Sequence, residues 1–390
     1  MKVAYVVPRY GPHVIGGAEG GARMLAERLV SQLGWTAEVF TTCARDLLTW
    51  QDEDDPGESV DHGVVVHRYR SVAGRHPGFF SFSDRVLAAP RVASEADAEH
   101  WVDLQGPVCP ELVDAVVASD ADLVVFYPYL YYPTVRAIGL VSERAVLHPA
   151  AHDEPALLLP IFRSTFAAAA GFAYHTTSER HLVQHWFSVA ERRQAIIGLG
   201  VDERPVACDT SADFDGVGDR PYLCCLGRVD DLKGSRLLVE FFAVYKQRRP
   251  GALALVMVGP IATRPPPHPD VFLIGPVDEA TKWSILSQST AVVSPSANES
   301  FSVVIMEAWC ENRPVLVNAA CPPTVEHCRA SGGGLWFDGY ASFEAAVDRL
   351  LADAALRRVL GEHGRHYVDA HYRWPKIIER YGRFLEAVAS

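Results

Sequence analysis

The sequence lacks any stretch of about 18 apolar residues long enough to span a bilayer, so no transmembrane helix is expected. It lacks a basic excess, since 36 Lys and Arg against 48 Asp and Glu give a net charge of −12. Such a surface repels phosphate backbones, which argues against general nucleic-acid binding and leaves room only for a local basic pocket. No C-x-x-C pair occurs among the 8 cysteines, which sit mostly in apolar runs where the thiol behaves as a small hydrophobe. Two glycine fingerprints for nucleotides are missing as well. No G-x-G-x-x-G follows the first apolar run, and no G-x-x-x-x-G-K-[ST] occurs anywhere. The opening MKVAYVVPRYGP is a poor leader peptide, because its apolar run stops at Pro8 and Arg9 without a small-residue cleavage site. It reads as a first buried strand in a reduced, cytoplasmic protein.

What is present suffices for a large core. At about 150 residues per domain, 390 residues suggest two domains, and 49% apolar against 22% charged residues excludes disorder and fibrous low complexity. Short β-type runs alternate with helical patterns, the signature of parallel sheets covered by helices. Strands are predicted at 3–7, 37–41, 64–69, 123–126, 145–147 and 172–175, and an amphipathic helix at 18–33. The acidic stretch 47–60 reads as a solvated loop. The Phe- and Pro-rich stretch 72–107 reads as an irregular insertion at the mouth of a cleft. The rhythm restarts with strands at 222–226, 252–258, 271–274, 291–294 and 315–318 and helices at 235–248 and 303–311. Between the halves, 204–221 is polar and rich in Asp, Gly and Pro, a linker by composition. Two α/β lobes joined there leave a cleft facing the carboxyl ends of their strands, where such sheets bind ligands.

Three segments carry chemistry. In SPSANESFSVVIMEAW, 294–309, a loop runs from a strand end into a helix whose amino terminus favours an anion. Glu299 in the loop and Glu307 in the helix can face one ligand, and free carboxylates suit hydroxyl donors. The alternative is a helix cap plus an unrelated surface Glu. In LGRVDDLKGS, 226–235, Arg228 and Lys233 flank a turn beyond Gly227, and a guanidinium with an ammonium at a strand's carboxyl end suits a diphosphate. The alternative is a solvent-exposed turn. In PRYGPHVIGGAEGGA, 8–22, Gly16 and Gly17 permit close backbone approach at a helix start, with Glu19 in its first turn.

Together these segments resemble the family-four glycosyltransferases, retaining GT-B enzymes that use nucleotide-activated sugars. The resemblance covers nearly the whole chain, including GVD at 200–202, PVLVN at 314–318 and the terminal HYRWPKIIERY with Trp374. It implies two Rossmann-like lobes: 1–205 for the acceptor, to which 373–390 returns as a final helix, and 206–372 for the donor nucleotide. By position, Arg228 and Lys233 would hold the diphosphate and stabilise the leaving phosphate. Glu307 would meet the ribose hydroxyls and Glu299 the transferred sugar. Gly227, the backbone of Ser300, Phe301, Ser302 and Val303, and Val277 near the base would complete the donor site. Gly17 would let the first-lobe loop approach the diphosphate or acceptor, and His152 would touch the sugar near its reacting carbon.

The resemblance also implies same-face transfer with no protein nucleophile, the departing phosphate oxygen taking the acceptor's proton. No metal or other cofactor is implied, the diphosphate being neutralised by Arg and Lys. His148 and His152 have i, i+4 spacing beside Asp153 and Glu154, but Pro149 and Pro155 oppose the regular helix that a metal pair would need. Cys321, His327 and Cys328 read as a helix packed in the core. One departure stands out: where the family usually has E-G-F-G, this chain has Ser300 and Ser302, which bears on which sugar fits.

The donor is expected to be a UDP or GDP sugar, hexosyl or N-acetylhexosaminyl, and the acceptor a small molecule or glycan. Tyr129 and Tyr131, in the tyrosine-rich 127–133, are candidates to stack on acceptor rings. Ala, Val and Arg usage points to a GC-rich bacterial genome. Three rivals remain open at this point: a GT-B nucleotide-sugar epimerase, a dinucleotide-dependent oxidoreductase, and a two-lobe sugar-binding protein.

Overall fold

The run KVAYV at the amino terminus is a continuous apolar segment, and it forms a strand that is buried from its second residue onward. Strands of this composition are stable where helices cover both sheet faces, and the fold repeats that solution twice. A computed structural model describes residues 1–14, 17–205 and 217–390. Gly16 and most of the expected linker, 206–216, lie outside the described residues. The chain divides into two compact units, Met1–Gly198 with Pro375–Ser390, and Leu199–Trp374.

The first unit's strands are β1 (Lys2–Val6), β2 (Thr36–Thr42), β3 (Gly57–Asp61), β4 (Val64–Tyr69), β5 (Leu123–Phe126), β6 (Ala145–Leu147), β7 (Gly171–Tyr174) and β8 (Arg193–Ile196). Their order is β3-β4-β2-β1-β5-β6-β7-β8, parallel throughout except that β3 pairs antiparallel with β4. Helices α1 (Gly17–Leu33), α2 (Phe79–Leu87), α3 (Glu95–Gln105), α4 (Pro110–Ala118), α5 (Tyr132–Ala137), α6 (Ile161–Ala168) and α7 (Thr177–Trp186) accompany them. The order reverses at β1, with β2 on one side and β5 on the other.

The second unit contains β9 (Tyr222–Leu226), α8 (Ser235–Arg248), β10 (Ala254–Val258), β11 (Val271–Gly275), α9 (Glu279–Gln288), β12 (Ala291–Ser294), α10 (Val303–Cys310) and β13 (Val315–Asn318). It continues with α11 (Pro322–Ser331), β14 (Gly334–Phe337), α12 (Tyr340–Ala352) and α13 (Ala354–His371). The sheet is wholly parallel in the order β11-β10-β9-β12-β13-β14, which reverses at β9.

The last helix, α14 (Trp374–Ala389), lies almost wholly within the first unit. There the Tyr5 hydroxyl donates to Tyr381 at 3.1 Å, and His148 Nε2 lies 3.1 Å from the same oxygen, so a polar seam ties α14 to β1 and β6. Trp374, still in the second unit, lies over Gly200. A Cβ on that glycine would sit 2.1 Å from the indole, so only glycine admits the ring.

Two regions differ from expectation. The acidic stretch 47–60 is not all loop, since its end enters β3, whose residues from Gly57 to Val60 are all exposed. An edge strand with no face in the core carries no apolar alternation for the sequence to reveal. The stretch 72–107 holds α2 and α3 rather than irregular chain. Phe79 and Val86 bury one side of α2, and Trp101 of α3 donates its indole N–H to Ser83 Oγ at 3.0 Å.

Candidate active site

Every strand of the second sheet points its carboxyl end the same way, and at β9 the connections diverge, some toward β10 and others toward β12. Loops leaving strands at such a reversal part and leave room for a ligand. The two motif loops of this unit, after β9 and after β12, leave from that point. At the end of β9, Gly227 has φ 129°, and a Cβ built on it would meet nothing within 4 Å, so bare backbone faces open space. Behind it, a Cβ on Gly259 would come 2.2 Å from Gly227 O. Only glycine lets the β9 and β10 loops touch.

Asp230, 7% exposed, organises the following turn. Its Oδ1 accepts the Lys233 backbone N–H at 2.7 Å, its Oδ2 accepts Arg228 Nε–H, and its own N–H donates to Ser235 Oγ at 3.1 Å. Gly234 then takes φ 76°, and a Cβ there would sit 2.6 Å from Pro295 O, so the two loops are in backbone contact. Across that contact Lys233 Nζ donates to Glu299 Oε1 at 2.6 Å. Arg228, Lys233 and Glu299, which the sequence offers in two separate motifs, thus form one cluster at the carboxyl edge. Asp230 lies inside the quoted motif, and its i, i+3 relation to Lys233 was the available signal for its role.

Glu307 sits on the second turn of α10, and Lys282 of α9 donates to its Oε1 at 2.8 Å while also donating to Glu279 at 2.8 Å. Burial raises the Glu307 carboxyl, and Lys282 opposes that shift. Burial alone would lower the Lys282 ammonium, but Glu307 and Glu279 leave it raised. No local spacing announces Lys282, because its partner lies 25 residues away. Val277, half-buried, leads from β11 to the Asp278 cap of α9, whose carboxylate accepts Thr281 N–H at 2.8 Å.

Phe301 is 2% exposed, its ring edge-on to His327 and Tyr372 at 5.1 Å each, so this side chain is core. Ser300 and Val303 are half-buried on either side. Ser302 caps α10 with φ 70°, and its side chain makes no capping hydrogen bond. That left-handed conformation favours glycine, which explains physically why glycine is usual at this place in the resembling family. Ser302→Gly is therefore expected to stabilise the protein by about 1 kcal/mol, read as a higher denaturant midpoint. An unchanged or lower midpoint would show that the strain is absorbed elsewhere.

In the first unit, Gly17 opens α1 with nothing within 4 Å of its built Cβ. Beside it, Arg9 and Glu19, both buried, pair at 2.7 Å. His152 follows β6 and is half-buried, and its Nδ1 is shielded and has no hydrogen-bond partner. The loop before it is held by Glu179 of α7, whose carboxylate accepts N–H from Ala151 at 2.9 Å and from His175 at 2.7 Å. The two tyrosine candidates separate. Tyr129 is 1% exposed, donates to Glu154 Oε1 at 2.8 Å and packs on Phe162, so it belongs to the core and not to an acceptor surface. Tyr131 is half-buried, edge-on to Trp50 at 5.0 Å, with the Arg75 guanidinium 5.9 Å from the same indole.

Comparison with known proteins bears on the fold and on the second unit. The profile of the family described as "Glycosyl transferases group 1" matches residues 212–367. A trehalose synthase of Rubrobacter xylanophilus is 25% identical over 179 residues, covering 41% of this chain and 42% of that one. A GDP-mannose-dependent alpha-(1-6)-phosphatidylinositol monomannoside mannosyltransferase of Mycolicibacterium smegmatis is 24% identical over 91% of this chain and 92% of its own. The solved sucrose-phosphate synthase of Thermosynechococcus elongatus superposes with a TM-score of 0.74 at 19% identity, over 99% of this chain and 98% of its own. The chain thus has the GT-B fold, and its residues 212–367 match the family described as glycosyl transferases group 1.

Proposed function

We propose that the protein is a retaining glycosyltransferase that moves a hexosyl or N-acetylhexosaminyl group from a nucleoside diphosphate sugar to a hydroxyl of a small-molecule or glycan acceptor in the cytoplasm. The observation that carries this reading is the contact of Lys233 Nζ with Glu299 Oε1 beside Arg228 at the β9–β12 reversal. Two cations at that edge suit a diphosphate, and a carboxylate beside them suits the hydroxyls of the sugar attached to it.

In this reading Arg228 and Lys233 clamp the diphosphate, together with the α10 amino terminus and the bare backbone of Gly227. Glu299 orients the sugar and Glu307 takes the ribose hydroxyls. As the sugar–phosphate bond lengthens, negative charge grows on the departing phosphate, and both cations stabilise it without having to reorganise. The departing oxygen then accepts the acceptor's proton on the same face, and His152 lies along the transferred sugar. Gly17 brings the first loop to the diphosphate or acceptor, and Tyr131 contributes to the acceptor surface. The transfer uses no metal. Of the UDP and GDP donors expected, the name of the mycolicibacterial relative, GDP-mannose-dependent, supports the GDP type.

A thermal-shift panel of UDP, GDP, ADP and dTDP, each with and without EDTA, tests the donor class. A ligand at a hundred times its dissociation constant adds about 2.7 kcal/mol, so one nucleotide should raise the melting point regardless of EDTA. Glu307→Ala is expected to weaken that nucleotide's binding by about tenfold or more, since hydrogen bonds to charged groups are worth about 1.5–3 kcal/mol. An unchanged dissociation constant would remove Glu307 from the ribose. Donor turnover without any acceptor would favour an epimerase instead.

A further inference from the structure

One cluster in the first unit takes no part in the proposed transfer. β3 and β4 are joined by His62 and Gly63, with φ 49° and 82°, a tight turn of two left-handed residues. The turn lies on α1: a Cβ on Gly63 would touch Val30 Cγ1 at 3.0 Å. Asp61 and His62 are thereby brought against Glu27 of α1. His62 Nδ1 lies 2.7 Å from Asp61 Oδ1 and 3.7 Å from Glu27 Oε1, and one potential ligand atom from each residue lies within 4.8 Å of the others.

Two oxygens at this spot are shielded from water and without a hydrogen bond. Glu27 Oε1 and Asp61 Oδ2 accept no hydrogen bond, and the hydroxyl of Tyr10, a residue only 2% exposed, has no hydrogen-bond partner. Burial raises the Tyr10 phenol first, and the charges of Glu27 and Asp61 raise it further. Nearby cations only partly compensate. Arg23 Nε is 3.5 Å from Glu27, while Arg68 is engaged by the Tyr10 carbonyl, by Ser59 and by Asp54. Buried polar atoms are normally satisfied, and their grouping around two carboxylates and an imidazole indicates a missing positive centre.

We propose that Glu27, Asp61 and His62 bind a first-row divalent cation of the Zn²⁺ type. The imidazole selects such an ion over Mg²⁺ or Ca²⁺, and three protein ligands leave a coordination position for a water. The exposed His62 ring is free to swing onto the ion. The ion pins the β3–β4 turn to α1. Its ligands all belong to the first unit, whereas Arg228 and Lys233 belong to the second, so it stands independently of the proposed transfer.

The test is titration of EDTA-treated, dialysed protein with Zn²⁺, followed by melting point, and with Co²⁺, followed by visible absorption. Saturation by one equivalent with a raised melting point is expected. His62→Asn should fold as well as the parent, because Asn suits a left-handed turn, and should bind at least about tenfold more weakly. Glu27→Gln should do the same. No saturable response in the parent, or an equal response in His62→Asn and Glu27→Gln, overturns the site. Nucleotide binding unchanged by metal removal would leave the transfer reading standing in either case.

Discussion

Lys233→Ala is expected to cut turnover by about a hundredfold or more with donor saturating, and to weaken binding of the nucleoside diphosphate as well. Preorganised charge aimed at a leaving group is worth roughly 3–4 kcal/mol per group, and each 1.36 kcal/mol is tenfold in rate. Arg228→Ala should fall in the same range. Glu299→Ala should behave differently, because Lys233 is held in an ion pair with Glu299 with which a diphosphate would compete. Its removal releases the ammonium, so nucleoside diphosphate affinity should hold or rise while turnover falls for want of a sugar partner. Calorimetry with the nucleoside diphosphate and initial rates on the three variants separate these roles. Parental turnover in Lys233→Ala or Arg228→Ala would sink the diphosphate assignment. A weaker nucleotide complex in Glu299→Ala would show that the carboxylate positions the lysine rather than competing with the ligand.

The residues of that cluster were legible because the chemistry sits in short loops at predicted strand ends. YLCCL and AVVS are continuous apolar runs bounded by glycine or proline, so a strand with its exit loop could be read from either side. The reversal of strand order that brings the two loops together was not legible, since it depends on which strands pair across the sheet. Lys282 escaped for the same reason, its partner lying on another helix.

Other misses follow from exposure and from side-chain context. β3 is solvated along most of its length and shows no apolar signature of a buried strand, whereas β14, GLWF, is apolar but only four residues long. Tyr129 and Tyr131 are two residues apart in one aromatic run, yet one is core and the other partly open. Composition cannot separate them, because the distinction rests on Glu154 and Phe162, which close over Tyr129 alone. Ser302 is the opposite case. Departure from glycine was visible in the sequence, and the left-handed backbone there supplies its physical meaning.

Glu179→Ala is expected to destabilise the protein by about 3 kcal/mol or more. Its carboxylate, 1% exposed, serves the backbone N–H groups of Ala150, Ala151, His175 and Thr176, and losing an acceptor for buried donors costs about 1–3 kcal/mol each. Ala150 is held at φ 50°, so the loop that ends in His152 depends on this anchor to keep an unfavourable turn. The same group gives a pH signature. Burial pushes its carboxyl from the ordinary 4.5 up to about 8, against the pull of the four N–H donors. Between those values the folded chain holds a proton that the unfolded chain has released, so stability falls as pH rises through the window. His148, held well below 6.5 by burial and His175, and His327, pushed by burial down to about 4, act in the opposite sense, but only up to the ordinary imidazole value. Above about pH 6.5 their effect is spent and the decline from Glu179 should emerge, about 2 kcal/mol at most by pH 8. Urea unfolding across that range should show the decline in the parent and a flat profile in Glu179→Gln. A flat parent, or an equal decline in the variant, would mean that the carboxylate is already ionised in the fold. The four backbone donors would then outweigh burial, leaving Glu179 as a charged anchor for the His152 loop across the whole range.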